Sequence, residues 1–546
     1  MNWNGKLQQI WKIPGLILAL AMFVITGAML ACSRADVPSI GGIGSGGLSP
    51  ESVDTQIPDG VESEIPDVEI PLETSTEEVL LVDTTPDPAG EVVQLEPPVS
   101  PTFPPTQQIN SSQAAEQILY TAQSGDTLNA VAIRFGVVPF DIQTAEGLTP
   151  SLQGLLDPGL MMIIPRRFEE TGPSERLLPD SEVVFSPHAA DFSAVDFAEE
   201  YGGFITKYRE IVRGEWRTGA EVVDIAARDN SINPRLLLSI LEYHAGWVTD
   251  PTRPASDETF DFPLGLKDEA HKGLYRQLTW FANEIGNGYY GWRSGSIVDV
   301  RLADGTYERF APDLNAGTVA LQYYFGRRHS MENWEKALSP LGWLAVYDRL
   351  FGDPWSYTHP LYEPGIRQPD LILPFLPGRI WAFTGGPHGA WEREAAWAAL
   401  DFAPSTSITG CVVSEDWAVA SAAGLVVRSK DGVVILDLDG DGREQTGWNL
   451  LYLHIADEGR VREGTFVEQG DRIGHPSCEG GIATGTHIHI ARKYNGEWIL
   501  ADGPLPFNLS GWEARAGIEP YQGALLKDGR EVFAGVYATQ ETLIWR

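Results

Sequence analysis

The sequence predicts a multidomain α+β protein with a small mixed module, a helical middle and an antiparallel, β-rich C-terminal domain. Three observations lead there. A chain of 546 residues is too long for one core and points to roughly three or four units. Hydrophobic periodicity is helical across 195–365 and changes to short β-branched runs between glycine turns across 380–505. One long stretch near the N-terminus is too poor in aromatic and basic residues to fold. The formal net charge of −36 excludes a nucleic-acid binder, because neutralising phosphates needs a Lys/Arg surface. Three cysteines are too few for a disulfide scaffold.

Residues 1–32 read as an export segment. Lys6 and Lys12 precede an apolar run from Leu16 to Leu30 that ends in Ala31-Cys32. Met29-Leu30-Ala31-Cys32 resembles the lipobox of bacterial lipoproteins, which implies a lipid on Cys32. The other reading is an uncleaved helix, since the run is close to bilayer-spanning length. Either one anchors the chain to a membrane through a lipid or a helix and places the rest outside the cytoplasm. Residues 33–112, rich in Pro, Ser, Thr, Gly, Asp and Glu, are expected to form a disordered, extended tether.

Residues 117–168 form the small module. Leu128, Val131, Ala132 and Phe135 recur at helical spacing, Gly136 supplies a stop, and a second short helix fits Pro139 to Ala145, giving a βααβ order. Tyr120, Ser124-Gly125-Asp126-Thr127-Leu128 and Ile163-Ile164-Pro165 resemble a LysM domain. That resemblance implies binding of N-acetylglucosamine chains by Gly125, Asp126 and Thr127, with Leu156, Asp157, Pro158 and Gly159 opposite.

Residues 190–370 form the helical middle domain. Asn233-Pro234 is a helix start, with Asn as the cap and Pro at the first helical position. The stretch from Asn233 to Trp247 and that from Asn315 to Tyr324 resemble parts of lysozyme-like lytic transglycosylases. In that pattern His244 stands where the family has its acid, and Glu242 lies two residues earlier. Glycosidic cleavage needs a carboxyl held protonated beside the leaving oxygen. The middle domain is therefore expected to be inactive, with His244 an ordinary helix histidine.

Residues 376–546 carry the chemistry. In His487-Ile488-His489 both imidazoles of a strand point to one face. His454 ends another strand and can meet them across the sheet. Gly385-Gly386-Pro387-His388, Leu400-Asp401-Phe402, a tight hairpin from Val461 to Gly474, and Gly485-Thr486-His487-Ile488-His489 together resemble the lysostaphin-like (LytM-type) zinc endopeptidases. The resemblance implies His388, Asp401 and His489 as zinc ligands, His487 as general base or proton shuttle, and His454 as stabiliser of the developing oxyanion. The family places its Asp four residues after the first His; here Asp401 follows His388 by thirteen, so the insert from Gly389 to Leu400 is expected to loop out.

Outside the cytoplasm, Cys411 and Cys478 are expected to pair as a disulfide. Asp437-x-Asp439-Gly-Asp441-Gly442 imitates part of a calcium loop, but Trp448 stands where the bidentate acid belongs, so an acidic hairpin turn is expected. His188, His271, His329, His359 and His475 are read as ordinary residues. Together the resemblances imply a bacterial, cell-wall-facing zinc metalloendopeptidase acting on the stem peptides of peptidoglycan while the module holds glycan strands. The alternative is a non-catalytic peptidoglycan-binding lipoprotein that regulates other wall hydrolases.

Overall fold

The computed structural model describes residues 116–391, 396–405 and 410–546. The export segment with Cys32 and the tether of 33–112 lie outside the described residues. Among the described residues no helix is long and apolar enough to cross a membrane.

The small module runs β1 (Gln117–Thr121), α1 (Leu128–Phe135), β2 (Gln143–Thr144) and β3 (Met161–Pro165). Thr127 caps α1 by accepting the Ala130 N–H at 3.1 Å, and Gly136 ends it in the left-handed region at φ 65°. The second helix expected over 139–145 is not formed. A 3-10 turn over Pro139–Asp141 is followed at once by β2, which pairs with β3. Between positions 138 and 145 only Ile142 is buried, too little for an apolar helix face, and the sheet satisfies the backbone instead.

The helical region comprises α2 (Ala194–Tyr201), the hairpin of β4 (Arg209–Val212) and β5 (Glu215–Thr218), α3 (Gly219–Asn230), α4 (Pro234–Ala245), α5 (Asp257–Asp261) and α6 (Leu274–Ser294). It continues through β6 (Asp299–Arg301), β7 (Tyr307–Arg309), α7 (Ala316–Arg328), α8 (Met331–Leu338) and α9 (Trp343–Phe351). The side chain of Asn233 caps α4 through the Arg235 N–H at 2.9 Å, and Pro234 sits in the first turn.

The C-terminal region is β8 (Ile380–Gly389), β9 (Trp397–Pro404), β10 (Ala418–Val419), β11 (Gly424–Lys430), β12 (Val433–Asp437), β13 (Trp448–Leu453), β14 (Phe466–Val467), β15 (Arg472–Gly474) and β16 (Ile488–Tyr494). There follow β17 (Glu497–Trp498), β18 (Asn508–Leu509), β19 (Trp512–Ala516), β20 (Gly523–Lys527), β21 (Arg530–Phe533) and β22 (Leu543–Trp545). The main antiparallel sheet has the order β14-β11-β12-β13-β16-β9-β8-β22, with β17 on β16. Two sequence expectations are corrected here. The insert after His388 does not loop out as a whole, because β8 and β9 stay paired as far as Gly389 opposite Trp397. Nor do the strands of 461–474 pair with each other: β14 joins β11 and β15 joins β10, with a tight turn between them.

The sheet is buried on both faces. Val433, Ile435, Leu451, Leu453 and Ala491 pack with the helical region. Val434, Leu436, Leu450, Tyr452, Ile488 and Ile490 pack on the other face with Phe507, Trp512 and Leu525. This explains the unbroken apolar run of β12, since a strand covered on both sides has no polar face to alternate with.

The small module is docked on the helical region through α1 and the loop before it. Arg134 donates to the Trp292 carbonyl at 3.2 and 2.8 Å, and Gln123 to the carbonyls of Asp313 and Leu314 at 3.1 and 3.3 Å. Arg293 donates to the Ser124 carbonyl and pairs with Asp180 at 3.0 Å and Glu497 at 3.1 Å, so one buried guanidinium joins module, helices and sheet.

Candidate metal centre

Strand pairing assembles the centre. Asp401 on β9 lies directly opposite His489 on β16, and Leu453, the residue before His454, lies opposite His489 from the other side. His489 shares the face of Ala491, the one turned toward the helical region. On β8 the register shifts between Gly385 and His388, which brings His388 to the same centre. Gly385 sits across from Asp401, and a Cβ there would collide with Asp401 Oδ2; only glycine leaves room for the carboxylate.

The resulting donor set is compact. His388 Nε2 stands 3.0 Å from His489 Nδ1, and each lies 3.3 Å from Asp401 Oδ1. His388, Asp401 and His489 are 2%, 6% and 5% exposed, and among the described residues Asp401 Oδ1 has no hydrogen-bond donor. A tetrahedral zinc ion with bonds of about 2.0–2.1 Å spaces neighbouring donors roughly 3.3 Å apart, so two imidazoles and one carboxylate at these separations fit it.

All four histidines of the centre have one ring nitrogen held by a backbone carbonyl. The pairs are His388 Nδ1 with Gly386 at 2.8 Å, His489 Nε2 with Ala390 at 2.9 Å, His487 Nδ1 with Gly485 at 2.8 Å and His454 Nδ1 with Glu479 at 2.9 Å. A carbonyl only accepts, so each of these nitrogens carries the proton and the other faces inward as a lone pair. His487 Nε2 is 3.8 Å from Asp401 Oδ1, and the rings of His454 and His487 lie 4.4 Å apart. His454 adopts φ 67°, an uncommon backbone for a side chain this large, which turns its ring off the end of β13.

Electrostatics follow from burial and from one carboxylate. Burial opposes charge on His388, but Asp401 outweighs it and holds the imidazole above its ordinary pKa. Burial by itself would raise Asp401; His388 and His487 hold it well below the carboxylate range. Burial lowers His489 and pushes His454 down to about 3.

Cys411 and Cys478, read as a pair from the sequence, form a disulfide. The Thr486 N–H donates to the Gly410 carbonyl and its hydroxyl accepts from Val412 N–H at 3.0 Å, tying the disulfide loop to the residue before His487. Ser477 N–H and Oγ both donate to the His454 carbonyl, at 2.7 and 3.1 Å. Tyr521 stacks on the His388 ring at 4.1 Å. Of the supports around the disulfide, Thr486 carried a signal in the sequence, its place beside the His-x-His pair, while Ser477 and Tyr521 carried none.

The other sites read from sequence sit as follows. The two loops of the small module meet, with Leu156 N–H donating to the Asp126 carbonyl at 2.8 Å. Gly125 packs against the Arg293 guanidinium, and Asp126, 1% exposed, accepts from Arg134 at 2.7 Å and Tyr120 at 2.6 Å. Thr127 is the cap of α1; Leu156 is buried, Pro158 half-buried, and Asp157 and Gly159 are exposed. In the helical region Glu242 accepts from the N–H groups of Val248 and Thr249 and from Arg349, at 2.9, 3.1 and 3.0 Å, and so organises the turn after α4. His244 contacts the Tyr324 hydroxyl at 3.0 Å, and burial pushes it to about 3. His271 binds Asp268 and His475 the Asp416 carbonyl; His188 and His359 contact each other's rings, and His329 stacks on Phe325.

Comparison with known proteins adds four likenesses. The family description "LasA, N-terminal domain" matches residues 176–364, the helical region, and gives that region a likeness other than the lysozyme-like one expected. Protease LasA of Pseudomonas aeruginosa (strain UCBPP-PA14) is 24% identical over 289 residues, covering 50% of this chain and 65% of that protein. Beta-lytic metalloendopeptidase of Achromobacter lyticus is 26% identical over 179 residues, covering 31% of this chain and 45% of that protein. The chain thus spans less than two thirds of the length of either curated relative, 65% of one and 45% of the other. Among solved structures, the M23 metalloprotease pseudoalterin from the deep sea aligns with 20% identity and a TM-score of 0.28, covering 33% of this chain and 99% of that one.

Proposed function

We propose that this chain is a zinc metalloendopeptidase that hydrolyses the peptide cross-links of peptidoglycan outside the cytoplasm. The observation that carries the reading is the donor set: three inward donor atoms 3.0–3.3 Å apart, with the far nitrogen of each imidazole held by a carbonyl. Relatives named as a protease and a beta-lytic metalloendopeptidase support it. His388, Asp401 and His489 hold the metal. Zinc bound there would lower the pKa of a water and polarise the scissile carbonyl. The remaining steps belong to side chains of the protein. His487 Nε2, a free lone pair beside Asp401, takes the proton of the attacking water and returns it to the leaving amine. His454 presents Nε2 without a proton while neutral, so it orients the water by accepting from it. The oxyanion role implied by resemblance would need His454 first to gain a proton that burial resists.

The module of 117–168 is assigned glycan strands as its ligand, and Cys32 or the run before it the membrane anchor. The helical region is structural, since Glu242 is engaged in a turn and His244 is engaged by the Tyr324 hydroxyl. The alternative, a non-catalytic regulator, draws on one feature: His388, Asp401, His454 and His489 are each at most 6% exposed. Metal content and hydrolysis separate the two. The full chain is expected to hold one zinc and to release new amino termini from purified peptidoglycan, a release abolished by chelator and restored by zinc. A zinc-loaded chain that binds walls and cuts nothing would establish the regulator.

A further inference from the structure

The helical region brings one charged side chain to the edge of the metal centre. The turn between β4 and β5 is Arg213-Gly214, at φ 53° and 77°, and that between β11 and β12 is Asp431-Gly432, at φ 54° and 74°. Turns of two residues with positive φ at both favour asparagine or aspartate before glycine, which suits Asp431 and not Arg213. The two tips meet. Arg213 Nη1 lies 3.6 Å from Asp431 Oδ2, and Lys430 Nζ lies 3.3 Å from Glu215 Oε1, so opposite charges pair twice. An arginine held in the left-handed region points to a use for its side chain.

That side chain has three partners. Nη2 pairs with the buried Asp229 of α3 at 2.5 Å, Nη1 faces Asp431, and the guanidinium lies 5.5 Å from the centre of the Trp391 ring. Two of these lead to histidines of the centre. Beyond Asp431, the Gly432 carbonyl accepts the Ile455 N–H at 3.0 Å, and a Cβ on Gly432 would collide with the Glu479 carbonyl. Ile455 follows His454, and Glu479 holds His454 Nδ1. His454 sits at φ 67°, so its ring keeps its direction through the groups clamped around it. Trp391 adjoins Ala390, whose carbonyl holds His489 Nε2, and packs on the apolar cluster it shares with the helices.

We propose that Arg213 is a positioning residue for the metal centre. Through the tip of β11–β12 it fixes His454, and through Trp391 it fixes the carbonyl that orients His489. The helical region thereby completes the peptidase site without entering it. A partly exposed ion pair such as Arg213–Asp431 adds little to stability, so its loss is felt in the centre. Removing Arg213 does not strand Asp229, which keeps Arg428 at 3.1 Å and the Tyr275 hydroxyl at 2.9 Å.

The test compares the zinc-loaded full chain with Arg213→Asn, where asparagine suits the turn, and with Asp431→Asn, which parts the tips and spares the Asp229 pair. The kinetic part rests on the reading as a peptidase; amide hydrogen exchange, read by mass spectrometry, does not. In both variants exchange should quicken about tenfold over 453–457 and 477–482 and stay unchanged in α6 and α7. Hydrolysis of peptidoglycan should fall about ten- to a hundredfold in kcat with KM little changed. Zinc affinity, by competition with a chromophoric chelator, should drop about tenfold in Arg213→Asn and hold in Asp431→Asn, since His454 is not a ligand. Arg213→Lys, which keeps a cation opposite Asp431, should recover most of the rate. The double variant should be no slower than Arg213→Asn alone, as expected of residues acting through one contact. Native exchange over 453–457 and native zinc affinity in Arg213→Asn, with only a lower Tm, would overturn the proposal and leave Arg213 a docking contact.

Discussion

At the scale of single residues, the centre separates groups that hold metal from groups that move protons. His489→Ala should abolish zinc binding and hydrolysis together. His487→Ala should keep its zinc and lose about 10²–10⁴-fold in kcat, the usual worth of a general base. Zinc content by atomic emission beside kcat checks both, and equal zinc loss in the two variants would remove the distinction. Gly385→Ala tests the packing beneath them: the added methyl displaces the Asp401 carboxylate, so zinc affinity should fall at least tenfold with little change in Tm. Far from the metal, His244 sets a pH limit on stability. Its pKa is about 3 folded against an ordinary 6.5. Above 6.5 both states are neutral and pH has no effect through it. Below 6.5 the unfolded chain takes the proton first, so stability should fall by up to about 1.4 kcal/mol per pH unit until about pH 3. Urea unfolding of His244→Gln beside the native chain should show a shallower loss over that window.

At the scale of elements, local spacing was legible and long-range register was not. His487-Ile488-His489 announces two imidazoles on one strand face because side chains alternate with period two. The capping of α4 by Asn233-Pro234 is equally local. That β9 pairs with β16, placing Asp401 opposite His489, depends on residues some ninety apart in sequence, and no local pattern fixes it. The same limit hid the partners of β14 and β15, whose turn was plain but whose strands go to different sheets. The disulfide belongs to this scale. It closes a separation of 67 residues that contains His454 and ends shortly before His487, so Cys411→Ala/Cys478→Ala should cost about 2–4 kcal/mol in unfolding free energy. Through Thr486 it should also lower kcat more than it raises KM.

At the scale of the whole molecule, the units read from sequence are not independent bodies. One apolar cluster runs from the helices into the sheet, and Arg293 ties the small module to both. Sequence periodicity could mark the units but not their docking, because a docked surface is written in pairs of distant residues. Docking also engages the loop expected to hold glycan. If glycan binds only the released module, the apparent affinity of the full chain is reduced by the fraction released. Gly295→Leu, which wedges a side chain against Ala130 and Ile133 without touching that loop, should then raise affinity for N-acetylglucosamine oligomers roughly ten- to a hundredfold by calorimetry. Unchanged affinity would locate glycan binding outside that loop.

The most direct measurement of the central claim is the rate at which new amino termini appear in purified peptidoglycan treated with the zinc-loaded full chain, beside its His487→Ala variant at equal zinc content. The arrangement of His388, Asp401, His489 and His487 predicts steady release by the native chain and a rate at least a hundredfold lower in the variant. No release by the zinc-loaded native chain, or equal release by both, would contradict it.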